Sequence, residues 1–214
     1  GELIWQEDKY FDRPGTWWAL HTHIVHNPGF AAGWMWFFNS FAVERFDRAT
    51  CLENLSRHLQ MTQTRQPSPK TLQRDLNCLL STYSRTIPPK PQDPEDGHGC
   101  PFRELGLMTH FSTSGYFQLN SAPKKIAPEI LGFVLSTAFP TAAQGKGTTD
   151  ILLQDAVRQP GSPGRVFLLN PESLFDVVSK CDANSGPKTG ISLAGLAGER
   201  SIRIRQRAPI DWMR

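Results

Sequence analysis

SPKTLQRDLNCLLSTYSR, Ser68 to Arg85, reads as a proline-started, basic, amphipathic helix, and the rest of the architecture builds out from it. Ser68 is placed as N-cap and Pro69 at the first helical position, where a missing N–H costs nothing because that donor has no intrahelical acceptor. Leu72, Leu76, Leu79, Leu80 and Tyr83 recur at spacings of three, four and seven and form one stripe to be buried. Lys70, Gln73, Arg74 and Asn77 lie towards the other side, a polar face able to reach phosphates and base edges. An earlier run, FDRATCLENLSRHLQ, predicts a shorter helix, and the pair has the layout of a helix-turn-helix. Downstream, CPFRELGLMTHFSTSGYFQLN holds two β-prone runs, Leu107–Phe111 and Tyr116–Leu119, on either side of Ser114-Gly115. Helix, helix, hairpin is the order of a winged helix. Two helices and a hairpin also make a plain packing module, so DNA contact is a separate expectation.

Composition narrows the class. A chain of 214 residues suits one or two domains with cores that need no disulfide support. The formal charge is only +3 with a pI near 8.8, so a nucleic-acid partner has to be held by local basic patches rather than by a global field. Cys51, Cys78, Cys100 and Cys181 are far apart and form no CxxC pair, which points away from a zinc ribbon or a disulfide scaffold and towards reduced thiols in a cytoplasmic protein. No apolar run reaches the roughly 18 residues needed to span a bilayer, and GELIWQEDKY lacks the regions of a signal peptide. GELIW has the look of a strand end, and an N-terminal part of the protein is expected to precede it.

The next stretch, RPGTWWALHTHIVHNPGFAAGWMWFFNSFAVERF, carries four of the six tryptophans between proline/glycine breaks and predicts two helices. The first, from about Thr16 to His26, is expected to present Trp17, Leu20 and Ile24 on one face, with Trp18 beside them. The second is apolar nearly all round through Trp34, Trp36, Phe37, Phe38 and Phe41, and so reads as buried core rather than as a platform for bases. His21, His23 and His26 do not converge on one helix face with further ligands, so no metal site is assigned there.

The second half repeats this grammar. Pro128–Phe139 and Thr149–Val157 are predicted helices, PGSPGRVFLLN a tight turn into a short strand, and PESLFDVVSKC a helix with Leu174, Phe175, Val178 and Cys181 towards a core. Near the C-terminus Ile202 and Ile204 alternate with Arg203, Arg205 and Arg207, which places the three arginines on one strand face, the strongest basic patch of the chain. Such a strand suits a wing against a phosphate backbone, or equally an edge strand protected by charge. In PGSPGRVF, backbone amides and Arg165 could hold a phosphate, although a turn that only aims the chain is the favoured reading. Glu7-Asp8-Lys9 matches half of a nuclease carboxylate pattern, and Asp93, Glu95 and Asp96 sit in an acidic loop; neither is taken as a metal site. Cys78, close to the leucine stripe, reads as a buried small hydrophobe.

The expected fold is α+β and predominantly α: a helical hairpin within 1–42, then two winged-helix-like units with short β-hairpins, 43–122 and 123–214. TWWALHTHIV, GWMWFFNSF, TLQRDLNCLLSTYSR, CPFRELGL and PGSPGRVFLLNPESL, in this order, resemble the C-terminal part of a bacterial domain family of unknown function found in DNA phosphorothioation clusters, with SspB-type nicking proteins as its functional relatives. The resemblance implies a DNA-binding component of a bacterial defence system that introduces single-strand nicks for sulfur incorporation. It also implies a divalent metal such as magnesium for nicking, and partners that include a cysteine desulfurase, an ATP-pyrophosphatase-like enzyme and an ATPase. It transfers no catalytic residue. The alternative is a non-catalytic DNA-binding or assembly module that delivers the sulfur-transfer proteins. The residues expected to meet DNA are Lys70, Gln73, Arg74, Arg165, Arg203, Arg205 and Arg207.

Overall fold

A computed structural model describes residues 8–62, 67–88, 99–185, 189–196 and 199–213. The fold is α+β, with helices outweighing two small sheets. The chain divides into two compact units: one holds His23–Asn120 with the residues up to Trp17, the other Trp18–Thr22 with Ser121 onward. Among the described residues, no helix is long and apolar enough to cross a membrane.

Helix α1 (Pro14–His26), whose Trp18–Thr22 belong to the second unit, begins at a proline, and the Asp8 carboxylate just upstream accepts the N–H groups of Asp12 and Arg13 at 3.2 and 3.1 Å. Helix α2 (Pro28–Asn39) is capped by Asn27 and kinked at Ala31, whose φ/ψ of −152°/69° is not helical. A two-residue strand β1 (Arg45–Phe46) follows, then α3 (Arg48–Thr62), opened by Asp47, which accepts the Thr50 N–H at 2.8 Å. Hydrogen bonds from Thr50 hold the Asp47 carboxyl below the usual carboxylate range. Helix α4 (Pro69–Tyr83) runs straight into β2 (Ser84–Ile87); a 3-10 helix (Pro101–Leu105) leads to the hairpin of β3 (Met108–Phe111) and β4 (Phe117–Leu119). The sheet order is β1-β4-β3-β2, with only β2 and β3 parallel within it.

The tryptophan-rich run is core. Trp36, Phe37, Phe38 and Phe41 are buried, and their rings continue through Phe46 to Phe117, with Phe41 edge-on to Phe46 at 4.9 Å and Phe46 stacked on Phe117 at 5.7 Å. Each such ring contributes about 1.5–3 kcal/mol by leaving water, so this aromatic row ties α2 to the sheet. Phe38 meets Tyr83 edge-on at 5.1 Å, which docks the C-terminal end of α4 on the same core.

The second unit contains α5 (Pro128–Ala138), α6 (Pro140–Ala143), β5 (Thr148–Leu152), α7 (Leu153–Arg158), α8 (Pro163–Val166), α9 (Pro171–Ser185), β6 (Ile191–Leu196), β7 (Glu199–Arg205) and α10 (Pro209–Trp212). Its sheet order is β5-β7-β6, antiparallel throughout. Ile151, Ile191, Ile202 and Ile204 face the core beneath it.

Three expectations need correction. Thr149–Val157 is not one helix: Thr148–Leu152 lies along β7, and this pairing with a distant strand, helped by β-branched Thr148, Thr149 and Ile151, overrides the local pattern. The run after PGSPG is not a strand: α8 is a single helical turn, and Leu168 with φ 52° reverses the chain. On α1 the buried set is Thr16, Trp18, Ala19, His21, Thr22 and Val25, whereas Trp17, Leu20 and Ile24 are half-buried. Polarity hid that stripe, because the buried polar groups are satisfied by main-chain carbonyls: His21 Nε2–H donates to the distant Val166 carbonyl at 2.8 Å and the Thr22 hydroxyl to the Trp18 carbonyl one turn back at 2.8 Å.

Candidate nucleic-acid interface

Helix α4 forms where the sequence places it. The Ser68 hydroxyl accepts the Thr71 N–H at 3.2 Å, Pro69 occupies the first turn, and Leu72, Leu76, Leu79, Leu80 and Tyr83 are buried. Lys70, Gln73, Arg74, Asn77 and Ser81 project to solvent. Arg74 is 81% exposed, its Nε 3.7 Å from an Asp75 oxygen, a loose and screened contact that leaves the guanidinium free to be recruited. Cys78 belongs to this exposed face and not to the core: it lies four residues from Arg74 and eight from Lys70, so the helical period puts it beside them. The thiols of Cys51 and Cys181 are the buried ones, pushed up to about 12 and about 11 by burial.

The C-terminal arginines are arranged differently from the expected single row. On β7, Ile202 and Ile204 point inward and Arg203 and Arg205 outward. Arg203 lies opposite Asp150 on β5 and clasps it through two hydrogen bonds of 2.8 Å each. The Arg203 guanidinium thereby holds the Asp150 carboxyl below the usual range. Arg200 bonds Glu172 at 3.3 Å and covers the Phe175 ring at 4.9 Å. Arg207 lies beyond the end of the strand; its N–H goes to the Ala142 carbonyl at 3.0 Å and its guanidinium lies over Trp212 at 4.9 Å. Among the described residues, Arg205 has no carboxylate partner. The period of two set the face correctly, but only for the length of the strand, and opposing acids cannot be read from alternation.

The PGSPGRV turn is a packing element. Gly161, Ser162, Pro163 and Gly164 are buried, and the amides of Val166, Phe167 and Leu169 are given to the carbonyls of Ser162, Pro163 and Gly164 at 2.9 Å each. Arg165 is half-buried, and its Nε–H is directed at the Arg158 carbonyl at 3.3 Å. The N–H groups of Ser162 and Arg165 are likewise given to the carbonyls of Gln159 and Ser162, at 3.0 Å each.

Among the described residues, no three His, Cys, Asp or Glu side chains come together. Burial of Asp8 opposes its ionisation, but the Thr16 hydroxyl and the N–H groups of Arg13 and Asp12 outweigh that and lower its pKa; its oxygens act as a helix-leading cap. His21 is committed to Val166, and His23 is exposed. Glu7 and the acidic loop with Asp93, Glu95 and Asp96 lie outside the described residues.

With this geometry in hand, comparison with known proteins places the chain. A family profile described as a protein of unknown function, DUF4007, matches residues 1–212. The chain belongs to that family. No curated protein matches it. Among solved structures, a magnesium ion-bound SspB crystal structure superposes with a TM-score of 0.76 at 23% identity, covering 96% of this chain and 60% of that one. A second SspB crystal structure gives 0.75 at 24% identity, covering 96% and 59%. This DUF4007 chain thus has the SspB fold over nearly its whole length while spanning about 60% of the SspB chain.

One exposed surface of the DUF4007 chain escapes the sequence reading. Strand β2 follows α4 without a break and exists because β3 lies beside it in parallel register, Ser84 to Met108 through Ile87 to Phe111. The alternation of Arg85 and Ile87 against Ser84 and Thr86 is its one local signal, too short to stand alone.

Proposed function

We propose that this chain is the DNA-engaging part of an SspB-like component of a bacterial DNA phosphorothioation system, acting in the cytoplasm. The reading rests on the solvent-facing row Lys70, Gln73, Arg74 and Asn77 at the start and middle of α4. In the first unit α2, β1, α3 and α4 are followed, after β2 and the 3-10 helix, by the β3–β4 hairpin; in the second α5 and α6, β5, α7, α8 and α9 precede the β6–β7 hairpin, and in each the leading strand, β1 or β5, pairs with the second strand of the hairpin. That is winged-helix order, in which the last helix before the hairpin enters the major groove with its N-terminal residues towards base edges. In the first unit that helix is α4. The SspB likeness supports the process, with a cysteine desulfurase, an ATP-pyrophosphatase-like enzyme and an ATPase as partners. Nicking of one strand with magnesium belongs to the same reading at the level of the longer protein, and no displacement step is assigned to the residues described here.

A specific observation favours a different role for the second unit. Its corresponding helix, α9, exposes Glu172 and Asp176 beside Lys180, and Arg200 and Arg203 are engaged by acids. A surface with its cations neutralised suits assembly with a protein better than a phosphate backbone, so the delivery-module alternative is kept for this unit.

The test is duplex binding across a salt series with Lys70→Ala/Arg74→Ala. Loss of two phosphate contacts should flatten the slope of log affinity against log salt by about 1.8, at about 0.9 per contact. Gln73→Ala should weaken binding without changing the slope. An unchanged slope in the double variant removes α4 from the interface.

A further inference from the structure

We propose that the outer face of the first unit's sheet is a stacking platform for single-stranded DNA, distinct from the duplex-reading face of α4. The inference rests on the DNA-binding reading for its choice of DNA, and on the sheet for its geometry. Paired residues of neighbouring strands project to the same side. Phe46, His110 and Phe117 occupy the inner side, where Phe46 stacks on Phe117 at 5.7 Å and His110 on Phe117 at 4.4 Å. The alternate residues must therefore face outward. One outer row is Arg45, Gln118, Thr109 and Arg85, fixed by the register of all four strands. The next holds Ile87 opposite Phe111, and Phe111 opposite Tyr116, whose carbonyl accepts the Phe111 N–H at 2.8 Å.

The exposure agrees. Tyr116 is 39% and Ile87 51% exposed, and Arg45, Arg85 and Gln118 are exposed as well, with Phe111 half-buried between them. Two aromatic rings thus stand side by side, Phe111 at the end of β3 and Tyr116 just before β4, about 5 Å apart at their Cβ atoms. The Arg45 guanidinium lies over the Tyr116 ring, 5.0 Å from its centroid, and no carboxylate is paired with it among the described residues. Arg85 stands at the far end of the first row, held by Glu104 through contacts of 3.1 and 2.9 Å.

Aromatic side chains on neighbouring strands of an exposed sheet, with arginines beside them, are what proteins use to stack successive unpaired bases while cations track the phosphates. The charge argues for a nucleic acid over an apolar protein segment, since Arg45 sits against the Tyr116 ring. A base edge finds donors and acceptors in Gln118 and Thr109. Single strands arise wherever one strand of a duplex is nicked and displaced, so a platform for them fits the proposed process.

The experiment uses the whole chain with two fluorescent probes, a twelve-residue oligothymidine and a blunt duplex, read by anisotropy. Phe111→Ala and Tyr116→Ala should each weaken oligothymidine binding, by about 5- to 150-fold for each base stack lost. Tyr116→Phe and Phe111→Tyr should retain it, and all four should leave duplex binding unchanged. Ile87→Lys, at an exposed position that tolerates charge, should tighten oligothymidine binding at low salt; loss of binding in this variant identifies an apolar-partner face and overturns the proposal. Oligothymidine binding that is absent, or equal in the alanine variants, also overturns it. Lys70→Ala/Arg74→Ala should weaken the duplex alone, so failure of the platform and failure of the α4 reading give different patterns. Tighter binding of oligouridine than oligothymidine reassigns the surface to RNA and rejects the DNA claim. Thermal melts confirm that each variant is folded.

Discussion

Replacing Gly164 with alanine tests whether PGSPGRV is a packing turn or a ligand cradle. A Cβ built at Gly164 would meet the Val157 Cα and lie 2.5 Å from its carbonyl oxygen and 2.8 Å from its carbonyl carbon. Those atoms are backbone in α7 and cannot rotate away, so α7 and α8 must separate by the better part of an ångström. The surroundings leave no slack: Ala156, Val166 and Phe167 are each fully buried. Overpacking of this kind costs typically about 1–3 kcal/mol, and the upper end applies because the obstacle is main chain. For a unit of roughly 100 residues, about 3 kcal/mol lowers the melting temperature by about 12–24 °C. The assay is urea and thermal unfolding, with duplex binding measured below the transition. Gly33→Ala is the control, because nothing outside the local chain lies within 4 Å of its Cβ position, so the added methyl meets no obstacle. A Gly164→Ala protein that melts with the parent refutes the packing argument, and one that melts with the parent but loses DNA would make the turn a phosphate cradle after all.

Three further outcomes follow from the same geometry. Asp150 is held below the ordinary carboxylate range by Arg203, so the pair's contribution is complete above that range and is lost as pH falls through the lowered value. Asp150→Asn should therefore lose less stability than the parent between pH 5 and pH 2 in urea titrations, and an equal loss would contradict the assignment. Iodoacetamide at pH 8 should modify Cys78 well before Cys51 or Cys181, whose thiols burial pushes up to about 12 and about 11; mass spectrometry showing equal rates would show that these sites open readily. Bound duplex should slow the alkylation of Cys78, and a rate unaffected by saturating duplex would place α4 away from the DNA.

What was legible in the sequence was what is encoded locally. The cap at Ser68, Pro69, the leucine stripe of α4 and the hairpin around Ser114-Gly115 all rest on residues within one or two turns of each other, and each forms as read. Strands β1 and β2 are two and four residues long and are held by partners more than twenty residues away, so no periodicity could mark them. The same limit explains Thr148–Leu152, where a strand 50 residues downstream decides the conformation. The engagement of Arg203 was hidden for an electrostatic version of this reason. Alternation fixes the side of β7 on which Arg203 projects, but the Asp150 that occupies it comes from another strand.

That difference separates the two units in what they can bind. Equivalent element orders do not confer equivalent chemistry, because affinity for a phosphate backbone comes from cations that are free to exchange a counterion for a phosphate. Lys70 and Arg74 stand on an exposed helix face with one loose acidic neighbour, and Arg45 lies over the exposed Tyr116 ring. In the second unit Arg203 already has two good hydrogen bonds to a carboxylate, and Arg200 is shared between a carboxylate and a ring. To contact DNA these would first have to exchange those partners for phosphates. Asp150→Asn makes the distinction measurable: if freeing Arg203 steepens the salt dependence of duplex binding by about 0.9, the second hairpin lies on the DNA, and if it changes nothing, that face is turned to another partner.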